Sequence, residues 1–114
     1  MDTPLAKKKC VACEKKGMPA LDRTQAEALL AQIPGWTLSD DAKKISREFT
    51  FEDFVGSMDF VGAVADIAEA EGHHPDIYIF YNKVRLDLYT HAVGGLSEND
   101  FIVAAKINEI MKFH

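Results

Sequence analysis

The sequence predicts an α+β fold of two layers, a four-stranded antiparallel sheet with helices packed on one face, in the order α-β-β-α-β-β-α. Three observations carry that expectation. Two pairs of alternating apolar segments, within residues 36–51 and 76–91, are each joined by a short polar turn. Three segments with apolar residues at helical spacing flank and separate these pairs. Tight turns force antiparallel pairing, and a sheet with one apolar face needs helices to cover it.

The elements follow in order. Residues 1–20, with their lysines, Gly17 and Pro19, lack apolar periodicity and read as a flexible N-terminal extension. Residues 21–114 read as a single domain. Thr24-Gln25-Ala26-Glu27 has the form of a capping box, and Ala28, Leu29, Leu30 and Ile33 give the first helix its face before Pro34-Gly35 stops it. Trp36 and Leu38 open a strand, Ser39-Asp40-Asp41 turns, and Ile45, Arg47, Phe49 and Phe51 alternate with more polar neighbours. A helix over about 52–70 is predicted next. Phe54, Met58, Val61, Ala65 and Ala68 form its expected core stripe, widened by Val55, Val64 and Ile67, and Gly72 ends it as a left-handed cap. Strands over about 76–81 and 84–91 enclose the turn Asn82-Lys83. After the loop Ala92–Gly95, Ser97-Glu98-Asn99-Asp100 starts the last helix.

Composition limits the function classes. A chain of 114 residues is long enough for one core, and 47% apolar with 27% charged content is ordinary for a globular domain. No apolar run approaches the length that spans a bilayer, so no membrane association is expected. The N-terminus lacks an apolar stretch after its lysines, which argues against a secretory signal and for the cytoplasm. The net charge of −5 leaves only Lys7-Lys8-Lys9 as a basic run, so direct binding to nucleic acid is not expected. Cys10 and Cys13 form a single CxxC. Zinc needs four ligands, and a redox pair would sit in a thioredoxin-like context, so the simpler reading is two reduced surface thiols.

The chemistry concentrates between Glu69 and Asp100, which holds His73, His74 and His91, three of the four histidines. With Tyr81 facing Val84 across the turn, Tyr78 would face Asp87 and His74 would face His91 at the open end of the hairpin. The second strand places Val84, Leu86, Leu88 and Thr90 on one face and Arg85, Asp87, Tyr89 and His91 on the other. Asp100 returns to that end after a glycine loop, and Tyr78 and Trp36 are candidate aromatic walls. Imidazoles give and take protons near neutral pH, which suits paired acid and base duty. Each residue also has a purely structural reading: the histidines as helix-end caps, Asp100 as the acid of a capping box, Pro75 as a helix stop. Three histidines and an aspartate are a legitimate zinc set, but neighbouring residues in extended chain point apart, so His73 and His74 make a poor pair of ligands. Neither a metal nor a cofactor is expected.

The run Glu69-Ala70-Glu71-Gly72-His73-His74-Pro75, then Tyr81-Asn82-Lys83-Val84, Thr90-His91 and Gly95-Leu96-Ser97-Glu98-Asn99-Asp100, closely resembles the pterin-4a-carbinolamine dehydratase family. The resemblance extends back through Phe51-Glu52-Asp53-Phe54 to Pro34-Gly35-Trp36. Ile77 stands where several members carry Trp, and Gly72 where some carry an acid. The resemblance implies loss of water from a 4a-hydroxytetrahydropterin to give the quinonoid dihydropterin, in tetrahydrobiopterin recycling behind an aromatic amino acid hydroxylase. It implies His73, His74 and His91 as the acid–base groups, Asp100 as the group that orients one of them, and Glu69, Pro75, Tyr78 and Trp36 as substrate contacts. A homodimer or homotetramer is implied as well. The competing class is a non-catalytic pterin-binding or dimerisation cofactor protein.

Overall fold

The computed structural model describes residues 4–8 and 19–111. Helix α1 (Arg23–Leu30) is followed by strands β1 (Thr37–Leu38) and β2 (Ile45–Thr50), helix α2 (Phe54–Glu71), strands β3 (Asp76–Phe80) and β4 (Lys83–Leu88), and helix α3 (Glu98–Met111). The four strands form one antiparallel sheet in the order β1-β2-β4-β3. This is the expected α+β architecture with helices packed on the sheet. Ile45, Phe49, Val84, Leu86 and Leu88 enter a core shared with Phe60 and Val64 of α2 and Phe101, Ile102 and Ala105 of α3.

Several local expectations are corrected. Asp22, not Thr24, caps α1: its carboxylate accepts the Gln25 N–H while the Gln25 side chain accepts the Asp22 N–H. On α2 the buried residues are Ser57, Phe60, Val64 and Ala68, whereas Phe54, Val55 and Met58 are exposed at 48%, 64% and 41%. The helix is apolar around most of its circumference, so periodicity alone offers two stripes, and the one lying on the sheet is displaced from the Phe54–Met58 flank. The expected featureless extension does not hold for Pro4–Lys7, which forms a 3-10 turn with Leu5 buried in the core. Lys106 Nζ donates to the Ala6 carbonyl at 2.8 Å, and Lys8 pairs with Glu98 at 3.0 Å, fastening that turn along α3. Cys10 and Cys13 lie outside the described residues.

The second hairpin differs most. Phe80 faces Lys83, so the turn residues are Tyr81 and Asn82, and Tyr78 faces Arg85 rather than Asp87. Tyr81 adopts a left-handed φ of 54°. Asn82 fixes this turn from outside the hairpin. Its carbonyl accepts the Phe51 N–H at 2.7 Å, and its side-chain amide donates to the Phe51 carbonyl at 3.3 Å. The ladder ends at Asp76 and Leu88, before either His74 or His91.

Candidate functional site

The site is assembled where α2 ends, β4 ends and α3 begins. Gly72 closes α2 in a left-handed conformation at φ 65°, and the N–H groups of Gly72 and His73 both reach the Ala68 carbonyl. That closure fixes the direction in which His73 leaves the helix. His73 Nε2 lies 2.6 Å from Asp100 Oδ1, with the histidine side chain 13% exposed and the carboxylate fully buried. Asp100 Oδ2 accepts the Thr90 hydroxyl at 2.7 Å and the Ser97 N–H at 3.0 Å. Thr90 Oγ1 also lies 2.7 Å from the Ser97 hydroxyl. The aspartate therefore serves both readings drawn from the sequence. It accepts the Ser97 N–H ahead of α3, one half of a capping box, and it holds a histidine.

His74 is placed differently. Its Nε2 meets Glu69 Oε2 at 2.6 Å, but the two side chains are 58% and 78% exposed. Here the carboxylate comes from the last turn of the same helix, so the pair is local.

His91 is not on β4. It starts a single 3-10 turn, His91–Val93, whose stem is a bridge between Thr90 and Gly95. Thr90 N–H donates to the Gly95 carbonyl at 2.7 Å, and Gly94 N–H donates to the His91 carbonyl at 3.1 Å. The expected cross-strand step from His74 to His91 thus has no ladder to carry it. His91 is exposed and lines an open cleft of about 540 Å³ together with Ser39, Asp40, Asp41, Lys43, Lys44, Tyr89, Gly94 and Gly95. Gly95 is required by proximity. A Cβ there would meet the Ala20 side chain at 3.1 Å, in the segment where Leu21 N–H donates to the Leu96 carbonyl.

The expected aromatic walls are not brought into the histidine pairs by their contacts. Trp36 is 5% exposed and packs edge-on against Phe49, with its indole N–H donating to Asn108 Oδ1 at 2.8 Å. Arg47 donates to the same oxygen at 2.7 Å and also bonds the Pro34 carbonyl; burial pulls its guanidinium below the usual value. Tyr78 lies on the open face of the sheet beneath the Arg85 guanidinium, 5.3 Å from its ring centre. Pro75, half-buried, follows the histidines and leads into β3.

That open face also holds a third carboxylate. Asp87 is 1% exposed, accepts the Ser46 hydroxyl at 2.7 Å and Arg85 Nε at 2.9 Å, and lies 3.6 Å from Lys44 Nζ. Burial pushes its carboxyl up, but the bonds from Ser46 and Arg85 and the charges of Arg85 and Lys44 outweigh this and hold it below the usual carboxylate range.

Two contributors were missed from the sequence. Thr90 and Ser97, partners of Asp100, were legible only as a strand residue and a cap. The Ser39–Lys44 loop, which walls the His91 cleft, shows in the sequence only as the turn Ser39-Asp40-Asp41. The sequence shows Thr90 beside His91 and Ser97 at the cap with Asp100, but nothing local joins them to His73 or the loop to His91, because those contacts bridge distant segments. Among the described residues, no helix is long and apolar enough to cross a membrane.

Comparison with known proteins places this geometry in a family. Residues 19–110 match the model for pterin 4 alpha carbinolamine dehydratase. The mitochondrial pterin-4-alpha-carbinolamine dehydratase 2 of Arabidopsis thaliana is 47% identical over 109 residues; the match takes in 93% of this chain and 58% of that longer protein. A Methylococcus capsulatus relative is 46% identical over 106 residues, covering 93% of this chain and 92% of its own length. Among solved structures, a transcriptional coactivator/pterin dehydratase from Brucella melitensis superposes with a TM-score of 0.76 at 34% identity, over 80% of this chain and 97% of that one. With the fold, the histidine motif and these matches together, the chain belongs to the pterin 4 alpha carbinolamine dehydratase family.

Proposed function

We propose that this protein is a hydro-lyase that removes water from a 4a-hydroxytetrahydropterin. In that reaction the C4a–O bond breaks and the hydroxyl leaves as water with a proton from an acid. N5 gives its proton to a base, and the new C4a=N5 bond makes the quinonoid dihydropterin. The protein must supply one proton and accept another, a task for imidazoles. The observation that carries the reading is the buried His73–Asp100 pair at 2.6 Å in a chain of this family. His73, with Asp100 orienting it, His74 and the cleft-lining His91 are the acid–base groups. Glu69, Pro75 and Tyr78 contribute substrate contacts, and Trp36 supports the site from the core. The physiological setting is tetrahydrobiopterin recycling in the cytoplasm, downstream of an aromatic amino acid hydroxylase.

Single-turnover decay of a synthetic 4a-hydroxytetrahydropterin tests this. His73→Ala and His91→Ala should each lower the rate at saturation by roughly a hundred- to ten-thousand-fold, the range typical of general acid–base groups. Their combined loss should be less than the product of the two, because they share a transition state. Variants that bind poorly yet turn over normally once saturated would make these residues binding contacts.

A homo-oligomeric state belongs to the same proposal. β3 is an edge strand whose residues are all exposed, Phe80 at 57%, and Tyr81 beyond it at 65% stacks on the exposed Phe54. A second copy pairing along that edge would cover it. The same surface supports the second reading, a dimerisation cofactor for another protein, in keeping with the Brucella relative being named a transcriptional coactivator/pterin dehydratase. A monomer mass in light scattering at all concentrations would remove the self-association.

A further inference from the structure

We infer that Thr90 is a positioning residue for the proposed dehydration: one buried hydroxyl orients Asp100 on His73 and, through its own backbone, anchors the loop that presents His91. The inference rests on the proposed function for its kinetic arm only.

The bonding around Asp100 leaves little freedom. A fully buried carboxylate is held in place only when its oxygens are satisfied. Oδ1 faces His73, while Oδ2 takes Thr90 and the Ser97 N–H. An ionised carboxylate only accepts, so Thr90 spends its single hydroxyl proton on Oδ2. The contact between Thr90 and Ser97 is then donated by Ser97, and the hydroxyls run in one direction, from Ser97 to Thr90 to Asp100. Rotating the carboxylate away from His73 would break both bonds to Oδ2 at once. His73 Nε2 faces a carboxylate oxygen, which only accepts, so that nitrogen carries the proton of the contact. Nδ1 is left as the nitrogen that exchanges protons with substrate.

The second half of the inference comes from the backbone. The same Thr90 closes the bridge with Gly95 by exchanging N–H and carbonyl bonds with it, at 2.7 and 3.4 Å. His91 is the next residue. Thr90 is 3% exposed and needs no substrate contact for this, since it acts through Asp100 and through the loop stem.

Thr90→Ser keeps the hydroxyl and Thr90→Val keeps the shape, so the pair separates chemistry from packing. Thr90→Val should lower kcat roughly ten- to a hundredfold with KM nearly unchanged, as expected for losing a buried bond to a charged group. Thr90→Ser should restore kcat to within about threefold. Independently of turnover, the downfield Hε2 proton of His73 in NMR spectra should persist in wild type and Thr90→Ser and shift or vanish in Thr90→Val. Normal kcat and an unmoved His73 resonance in Thr90→Val would overturn the inference. An inactive wild type with the expected resonance pattern would instead count against the dehydratase reading and leave the positioning role standing. Should Thr90→Val fail to fold, Thr90→Ala, which also removes the hydroxyl bonded to Asp100, serves in its place: a shifted Hε2 supports the role, and an unchanged one refutes it.

Discussion

Among the described residues, two histidine–carboxylate pairs have the same separation, 2.6 Å, and very different surroundings. His74 and Glu69 come from one helix end and stand in solvent. His73 and Asp100 come from opposite sides of the fold, with the carboxylate buried and three donors directed at it. Separation therefore says little about worth. In water an ion pair is screened and gives back much of its gain in side-chain entropy, whereas a buried, hydrogen-bonded pair is held in one geometry. The exposed pair can rearrange around a ligand. The buried one is built in advance and can hold a proton at a fixed atom.

The contrast is best broken by removing each carboxylate. Asp100→Ala should give the largest effect, because it leaves His73, Thr90 and the Ser97 N–H without their buried acceptor. The structural cost is about 1–3 kcal/mol, which for a domain of this size lowers Tm by roughly 5–15 °C. Asp100→Asn should be milder in both Tm and rate, since it keeps an acceptor while losing the charge. Glu69→Gln should leave Tm within a degree or two. Thermal melts of the three variants beside wild type decide this, and equal losses for Asp100 and Glu69 would erase the distinction.

Salt sharpens the comparison with a smaller effect. Raising ionic strength from about 0.05 to 0.5 M shortens the screening length several-fold and should weaken only the exposed pair. The ring resonances of His74 in NMR spectra at fixed pH should move with salt, and those of His73 should hardly respond.

Asp87 supplies the control, a buried carboxylate with no histidine. Its folded pKa is depressed, so its stabilisation is complete above the ordinary carboxylate pKa and is lost as pH falls through the folded value. Urea midpoints should therefore decline below about pH 4, and Asp87→Asn should flatten that decline. The same substitution should leave the neutral-pH reaction rate nearly unchanged. A strong loss of rate would mean that Asp87 itself, and not only its neighbour Tyr78 on the same face, takes part in the site.

The sequence by itself determined the element order and the inward face of β2 and β4, because alternation and turn residues act over a few positions, and it supplied the candidate acid–base residues. It also carried the family motif around His73, His74, His91 and Asp100. It did not determine the hairpin register. The observed pairing differs from the expected one by two residues, and an even slip keeps every side chain on its own face, so the apolar pattern could not tell the two apart. Asn82 bonding across to Phe51 decided that, from another strand pair. Tertiary structure likewise decided which flank of α2 is buried, drew Trp36 to Asn108, and seated Leu5 in the core. It alone gave Asp100 to His73 and left Glu69 to His74. Which histidine gains a buried partner depends on where α3 returns, 27 residues later, and local physics along the chain holds no record of that distance.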